Sequence, residues 1–394
     1  MTTLADWIAF NPVVNLEKGK SYPFIGMDVV TPGYRYVSQS QEKIYAGGGA
    51  KFRAGDTLFA RITPCLQNGK IAQFLHELPD SPGFGSTEFF IFRAIEEKSD
   101  PAFVYYLSQT NILKETAINS MVGASGRQRA DVKVLRELEI SVPPIKIQQR
   151  IAQILSSYDD LIENNRRRVD LLEESIRLLY REWFVSLRFP GYQSILGSDG
   201  VPRGWIRKPL TELVEINPQT TFDKNRIYPF VPMQALSESS MIIEGIEDRA
   251  ISGGAKFQNQ DTLLARITPC LENGKTGFVQ FLDEDNPVAS GSTEFIVLRS
   301  ATVSPYWVYC TARDAGFREH AIGSMVGSDG RQRVNPKCFD SYLAWQPTQN
   351  VLAEFNKAVE PMFKEIQTLS SMSKRLREAR DALLPKLIFG EIQV

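Results

Sequence analysis

Residues 60 to 70 read ARITPCLQNGK, and residues 265 to 275 read ARITPCLENGK. From Gly48 to Lys70 against Gly253 to Lys275, 18 of 23 positions are identical. Shorter matches keep the same order: NP at 11–12 and 217–218, YPF at 22–24 and 228–230, GSTEF at 85–89 and 291–295, SMVG at 120–123 and 324–327, GRQR at 126–129 and 330–333. The offset stays between 204 and 206, so the insertions are single residues of the kind that loops absorb. A period this long lies far outside the roughly 20–50 residues of solenoid repeats. Whatever this chain folds into, it must fold into it twice.

Each copy mixes short β-rich runs, such as DTLFARI and STEFFIFRA, with Gly, Pro and Asn punctuation and a helical patch near PAFVYYLSQT, which predicts a compact α+β domain. After each copy the period changes. Leu155, Ile162, Val169, Ile176 and Trp183 recur every seventh residue, and Ile151, Tyr158, Asn165, Leu172 and Leu179 form a second series. Near the end of the chain, Leu352, Val359 and Ile366 run beside Phe355, Met362, Leu369, Leu376 and Leu383. These are heptads, and they predict two long helices able to pair as a coiled coil. Asn165 either sets the register of the seam or marks its solvent-facing end. Pro361 either opens the body of the second helix or kinks it. The stretch 189–205, rich in Gly, Pro and Ser, reads as a linker. The expected order is a domain over 1–144, a helix over 145–188, the linker, a domain over 206–347 and a helix over 348–394.

At 394 residues the chain has room for more than one core. No stretch approaches the roughly 20 apolar residues of a membrane span, and the opening residues lack a basic leader with an apolar core, which predicts a cytoplasmic protein. Cys65, Cys270, Cys310 and Cys338 show no CxxC spacing and no neighbouring histidine cluster, which speaks against a disulfide framework or a zinc site. His76 and His320 are the only histidines and lie outside the repeated motifs, so histidine-based catalysis is not expected. The net charge of −1 hides an asymmetry: the spans 51–70, 119–136, 253–275 and 323–337 hold 14 Lys or Arg against 5 Asp or Glu. Two basic patches on a neutral chain suit a polyanion.

Within those patches, Arg61, Asn68 and Lys70, with Arg266, Asn273 and Lys275, lie in a loop carrying an Asn-Gly turn signal. Arg127, Gln128 and Arg129, with Arg331, Gln332 and Arg333, follow Gly-rich backbone. These side chains suit contacts to phosphates or base edges, or they are simply solvated. GSTEF reads mainly as a turn running into a strand, with Ser86, Thr87 or Glu88 as candidate base readers. The triple glycine before Ala50 is a weak phosphate-cradle signal, since no GK[ST] follows. The chain shows no [DNS]PP[YF] amide-flipping motif, no FxGxG loop, no P-loop and no PD…ExK signature, so methylation, translocation or cleavage by the chain alone is not expected.

Taken together, the two copies of DTLFARITPCLQNGK/DTLLARITPCLENGK, STEF running into a strand, GRQR, and the helical regions VPPIKIQQRIAQILSSYDDLIENNRRRVDLLEESIRLLYREWF and the one ending LLPKLIFGEI resemble the specificity subunit of type I restriction-modification systems over essentially the whole chain. The resemblance implies two target-recognition domains, each reading one half of a split double-stranded DNA site. It implies long helices that pair antiparallel as a ruler, so that the internal repeat is pseudo-twofold. Residues Ile145–Ser186 and Asn350–Glu391 would be ruler and docking surface for two modification subunits, which bring S-adenosylmethionine and methylate adenine N6; restriction subunits join them. The chain itself would carry no cofactor and no catalytic residue. Arg61, Asn68, Lys70, Arg127, Gln128 and Arg129 and their counterparts would face DNA, as base readers, phosphate clamps or framework. Two closely related domains imply half-sites that are similar and inverted, a near-palindrome with a non-specific gap. Differences between half-sites are expected from 25–47 against 231–252, where the copies diverge most. The rival class is a duplicated coiled-coil adaptor that binds a protein partner without nucleic acid.

Overall fold

The structure, a computed structural model, describes residues 2–37, 41–124, 126–223, 226–250, 253–328 and 330–394. It divides into two compact units, Met1–Asn165 with Met372–Val394, and Arg166–Ser371. Each unit holds one copy of the repeat together with part of each long helix.

In the first copy a four-stranded antiparallel sheet has the order Ile8–Phe10, Phe89–Ala94, Thr57–Ala60, Ile71–Gln73. A second sheet has the order Gln41–Ile44, Ser21–Ile25, Pro82–Gly85, Ala50–Arg53, with one parallel pairing that sets Phe24 opposite Phe84. The second copy repeats both orders: Val214–Ile216, Phe295–Ser300, Thr262–Ala265, Thr276–Phe278, and Glu247–Ala250, Ile227–Val231, Val288–Gly291, Ala255–Gln258. Thr57–Ala60 and Thr262–Ala265 are buried on both faces, which is why DTLFA and DTLLA read as unbroken apolar runs. The aspartate of that motif is framework. Asp56 accepts from Arg93 Nε and Nη2 at 2.7 Å each, and Asp261 accepts from Arg299 at 2.8 and 2.6 Å.

Helices Pro101–Gln109 and Pro305–Arg313 pack on the antiparallel sheets. Each starts with proline, whose missing N–H is no loss at that position, and each is capped, by Asp100 on the amides of Ala102 and Phe103 and by Ser304 on that of Trp307. The last glycine of GGGA and the glycine of GSTEF serve close packing of strands, as does Gly254 in the second copy. A Cβ on Gly49, at φ 75°, would lie 2.6 Å from the Gly85 carbonyl, and one on Gly254, at φ 80°, 2.0 Å from that of Gly291. No phosphate cradle is needed to explain them.

The long helices run over Ile145–Tyr180 and Gln349–Ile388. Pro361 neither opens the second helix, which starts at Gln349, nor ends it, and its ring is exposed. The pairing is antiparallel within each unit. In the first unit Asp159 pairs with Arg380 and Asn165 Nδ2 donates to Ser373 Oγ (3.3 Å); in the second Arg168 pairs with Glu365 and the rings of Trp183 and Phe355 lie 5.7 Å apart. Asn165 is buried in the seam rather than at a wet end. Leu155, Ile162, Val169, Ile176 and Trp183 are all buried, as the heptad requires. The second series is buried at Ile151, Asn165, Phe355 and Leu369 and half-buried at Tyr158, Leu172, Leu179, Met362, Leu376 and Leu383, where the next residues Asp159, Tyr180, Phe363 and Leu384 are buried, as is Arg380. Each helix packs on its recognition copy as well as on its partner, so the covered stripe is wider than a coiled-coil seam.

Candidate nucleic-acid interface

The repeated loop leaves the buried strand at Ala60 and closes on itself. Asn68 N–H donates to the Pro64 carbonyl (2.9 Å), Gly69 N–H to Leu66 (2.8 Å), Lys70 N–H to Cys65 (3.0 Å), and Ala60 N–H to Lys70 (3.1 Å). Gly69 at φ 72° and Gly274 at φ 84° supply the left-handed turn that the Asn-Gly signal predicts. The loop lysines are turned inward. Lys70 Nζ donates to the Met27 carbonyl at 2.7 Å and Lys275 Nζ to Met233 at 3.3 Å, so both tie the repeated loop to the divergent segment beside it. Asn68 and Asn273 are exposed, and Asn273 Nδ2 donates to Glu238 (3.0 Å).

The glutamate of GSTEF gathers the arginines. Glu88 accepts from Arg61 Nε at 3.2 Å and from Arg129 Nε and Nη2 at 2.9 and 2.6 Å; Glu294 accepts from Arg333 Nε and Nη2 at 2.9 and 2.7 Å, with Arg266 Nε at 3.8 Å. The hydrogen bonds of Arg129, and then of Arg61, hold the Glu88 carboxyl below its ordinary range against the opposing effect of burial; Arg333 does the same for Glu294. In the first copy one carboxylate thus holds two guanidiniums by hydrogen bonds; in the second it holds Arg333 by hydrogen bonds and Arg266 only as a longer ion pair, and each cluster keeps a net positive charge. Arg61 also lies over the Phe90 ring at 5.6 Å.

Arg129 closes a narrow finger. It exchanges backbone hydrogen bonds with Val122, both 3.0 Å, and Arg333 does so with Val326 at 3.0 and 3.1 Å. Gln128 anchors the finger's base through its backbone, since Thr63 N–H donates to the Gln128 carbonyl (2.9 Å) and Gln128 N–H to Thr63 Oγ1 (3.0 Å). Gln332 repeats this with Thr268 at 3.0 and 3.1 Å. The guanidiniums of Arg127 and Arg331 are exposed on the finger, with no side-chain hydrogen bond or ion pair among the described residues, while their backbone amides donate to the carbonyls of Ala124 and Ser328 at 3.0 Å each. Of the twelve residues expected to face DNA, then, Arg61, Gln128 and Arg129 meet at one clamp and Arg266, Gln332 and Arg333 at the other. Arg127 and Arg331 are its free charges.

Sequence reasoning missed Val122 and Val326, which are 70% and 66% exposed at the root of each finger. The available signal was an apolar residue kept in both copies of SMVG. It also missed how the divergent segments are held. In the first unit Arg35 donates to Gln73 Oε1 (2.9 and 2.7 Å), Ser156 Oγ (2.5 Å) and Tyr106 Oη (3.2 Å), while Tyr36 Oη donates to Asp160 (2.8 Å). In the second, Glu173 accepts from Ser240 Oγ (2.5 Å) and the Met241 amide (2.9 Å), and burial pushes its carboxyl up. Residues 38–40 and 251–252 of these segments lie outside the described residues.

The two units thus repeat one α+β topology, and each shows a pair of arginines gathered on a glutamate beside a third whose side chain has no partner among the described residues. The family described as "Type I restriction modification DNA specificity domain" matches residues 7–174. The chain is 26% identical over 308 residues to the type I restriction enzyme MjaIX specificity subunit of Methanocaldococcus jannaschii, covering 74% of this chain and 69% of that one. It is 21% identical over 457 residues to the HindI specificity subunit of Haemophilus influenzae, covering 98% and 96%. Among solved structures, the type I restriction-modification S subunit from M. genitalium shares the fold with a TM-score of 0.51 at 15% identity, over 98% of this chain and 95% of that one. These likenesses to specificity subunits of type I restriction-modification systems support a role for this chain in DNA sequence specificity. The comparisons lend no support to an adaptor that binds protein alone.

Proposed function

We propose that the chain binds a bipartite, near-palindromic duplex site with a non-specific spacer and directs modification and restriction subunits to it, without chemistry of its own. The modification subunits, two per chain, would bring S-adenosylmethionine and methylate adenine N6. Residues 1–144 and 206–347 act as the target-recognition domains, 145–188 and 348–394 as the helical spacer and docking regions, and 189–205 as the linker. The cytoplasm is the compartment this role requires; no helix among the described residues is long and apolar enough to cross a membrane.

The observation that carries the reading is the arginine clamp repeated at equivalent positions, Arg61–Glu88–Arg129 and Arg266–Glu294–Arg333, each beside an unpaired arginine. Such a clamp holds charge at fixed points, as a phosphate contact requires, and a free guanidinium on a narrow finger suits a phosphate or a guanine edge. Asn68, Lys70, Asn273 and Lys275 then serve the framework and rim of the same face. The test is adenine-methylation mapping of host DNA with and without this gene, in the presence of its modification subunit. Loss of one bipartite, near-inverted motif supports the reading; unchanged methylation, together with duplex binding that does not weaken as salt rises, sinks it.

A further inference from the structure

The Asn-Pro pair that opens each copy builds the same device twice. Asn11 and Asn217 adopt φ 48° and 52°. Asn11 N–H donates to the Ile91 carbonyl at 2.7 Å and Asn11 Oδ1 accepts from the Ile91 amide at 2.9 Å; Asn217 does the same with Val297 at 2.8 and 2.9 Å. Each asparagine is therefore fixed to the sheet strand that follows GSTEF. Two residues on, the copies part: one has Val13, the other Gln219.

Val13 is 87% exposed, more than any other large hydrophobic side chain among the described residues. Gln219 is exposed too, and among the described residues no hydrogen bond engages its side-chain amide. In the second domain Gln219 borders an open crevice of about 520 Å³ that Phe222, Lys256, Arg266 and Thr293 also line. Arg266 belongs to the arginine clamp, and its Nε is buried with no hydrogen-bond partner. The crevice thus joins position 219 to the clamp, beside a wall that carries Lys256 and Arg266. An isolated exposed valine is ordinary by itself. Here it shares its place in the repeat with an amide left unpaired at the edge of the candidate DNA face.

We propose that Val13 and Gln219 are specificity-determining residues that occupy one position in the two domains and make the two half-sites differ at one base pair. Val13 packs on the 5-methyl group of a thymine, and Gln219 pairs with N6 and N7 of an adenine, the contacts that an apolar side chain and a carboxamide make in the major groove. This rests on the duplex-reading function proposed above and assigns one position within it.

The experiment compares methylated motifs in cells that carry the modification subunit and either the wild-type chain, Val13→Gln, Gln219→Val or the double exchange. Wild type should give half-sites that differ at one corresponding position, thymine in the first and adenine in the second. Val13→Gln should replace that thymine by adenine, Gln219→Val should do the reverse, and the double exchange should swap them, with preferences shifted on the order of tenfold. Half-sites alike at every position, or motifs unchanged in both single variants, overturn the assignment while leaving the function standing. If wild type yields no bipartite motif, the function falls and the assignment with it. A variant that stops methylation is scored by selecting bound duplexes from a randomised pool with the purified complex: a changed base at that position supports the proposal, and an unchanged one overturns it.

Discussion

Arg380 is a buried and multiply bonded side chain of the first unit. With Asp159 it forms an ion pair whose partners are 6% and 2% exposed, and it also donates to the Gly33 carbonyl (3.1 Å) and to Asp381 (2.8 Å). The other Asp159 oxygen accepts from Tyr106 Oη at 2.6 Å. Burial pushes the Asp159 carboxyl up, while Arg380 and Tyr106 pull it down. Arg380→Met keeps most of the apolar stem and removes the guanidinium, leaving Asp159 one hydroxyl donor and the Gly33 carbonyl unpaired. Breaking one side of a buried pair costs about 3–5 kcal/mol. For a unit of this size that is roughly 2–4 °C per kcal/mol, so the transition of the first unit should fall by about 10 °C. Four of the five tryptophans, Trp183, Trp205, Trp307 and Trp345, lie in the second unit. Calorimetry should therefore show the loss more strongly than intrinsic fluorescence. Asp159→Leu combined with Arg380→Met should cost less than the sum of the single changes, because no charge is left buried alone. A shift below about 2 °C for Arg380→Met, or a double variant that is strictly additive, refutes the assignment of stability to this pair.

Alanine at Arg127 or Arg331 should weaken binding uniformly across duplex sequences and lower the slope of log affinity against log salt by about one per residue, measured by titration at several salt concentrations. The Glu88 and Glu294 carboxyls lie below their ordinary range, so the clamps contribute fully above about pH 4.3 and the contribution is lost as pH falls further. The Glu88→Gln/Glu294→Gln variant should show a flatter acid limb between about pH 5 and pH 3 in thermal scans. Gly254→Ala, which sets a Cβ 2.0 Å from a backbone carbonyl at φ 80°, should cost over about 3 kcal/mol in chemical denaturation. Gly19→Ala, at φ 87° in open space, should cost only about 1–2 kcal/mol.

The duplication, the long helices and the basic loops were legible because repeats, heptads and Asn-Gly turns are local signals. The five-residue seam from Leu155 to Trp183 is buried throughout, while the second seam is covered at Ile151, Asn165, Phe355 and Leu369 and shares its burial with neighbouring positions elsewhere, because a helix face is set by everything that packs on it and sequence period reports only the helix partner. Asp159, Glu173 and Arg380 were invisible for the same reason: a charged residue in a heptad looks solvated until its partners, Tyr106 or Ser240, arrive from another part of the chain. Composition pointed to Arg61 and Arg129 as basic. Their convergence on Glu88 brings together residues from three separate motifs, and spacing alone does not encode it.

The two copies solve one mechanical problem with different chemistry. Each must fix its divergent segment against a long helix, because a segment free to drift cannot hold a side chain over one base edge. In the first unit the segment supplies the cation: Arg35 is drawn among Gln73, Tyr106 and Ser156, and Arg377 and Arg380 reach the segment at Tyr34 and Gly33. In the second the helix supplies the anion, Glu173, and Arg313 gathers the carbonyls of Glu238, Ser240, Gly274 and Thr276. The shared framework therefore stops at the sheets and the arginine clamp. Much of what differs lies in the segments beside the clamp and in the helix positions that grip them, so the helices carry part of each domain's identity. A recognition segment moved from one domain to the other would meet the wrong partner: Arg35 would lose Ser156, and Ser240 would lose Glu173. Exchange of specificity in this chain accordingly requires moving helix residues with the segment, or confining the exchange to positions such as 13 and 219, where neither side chain is spoken for by the framework.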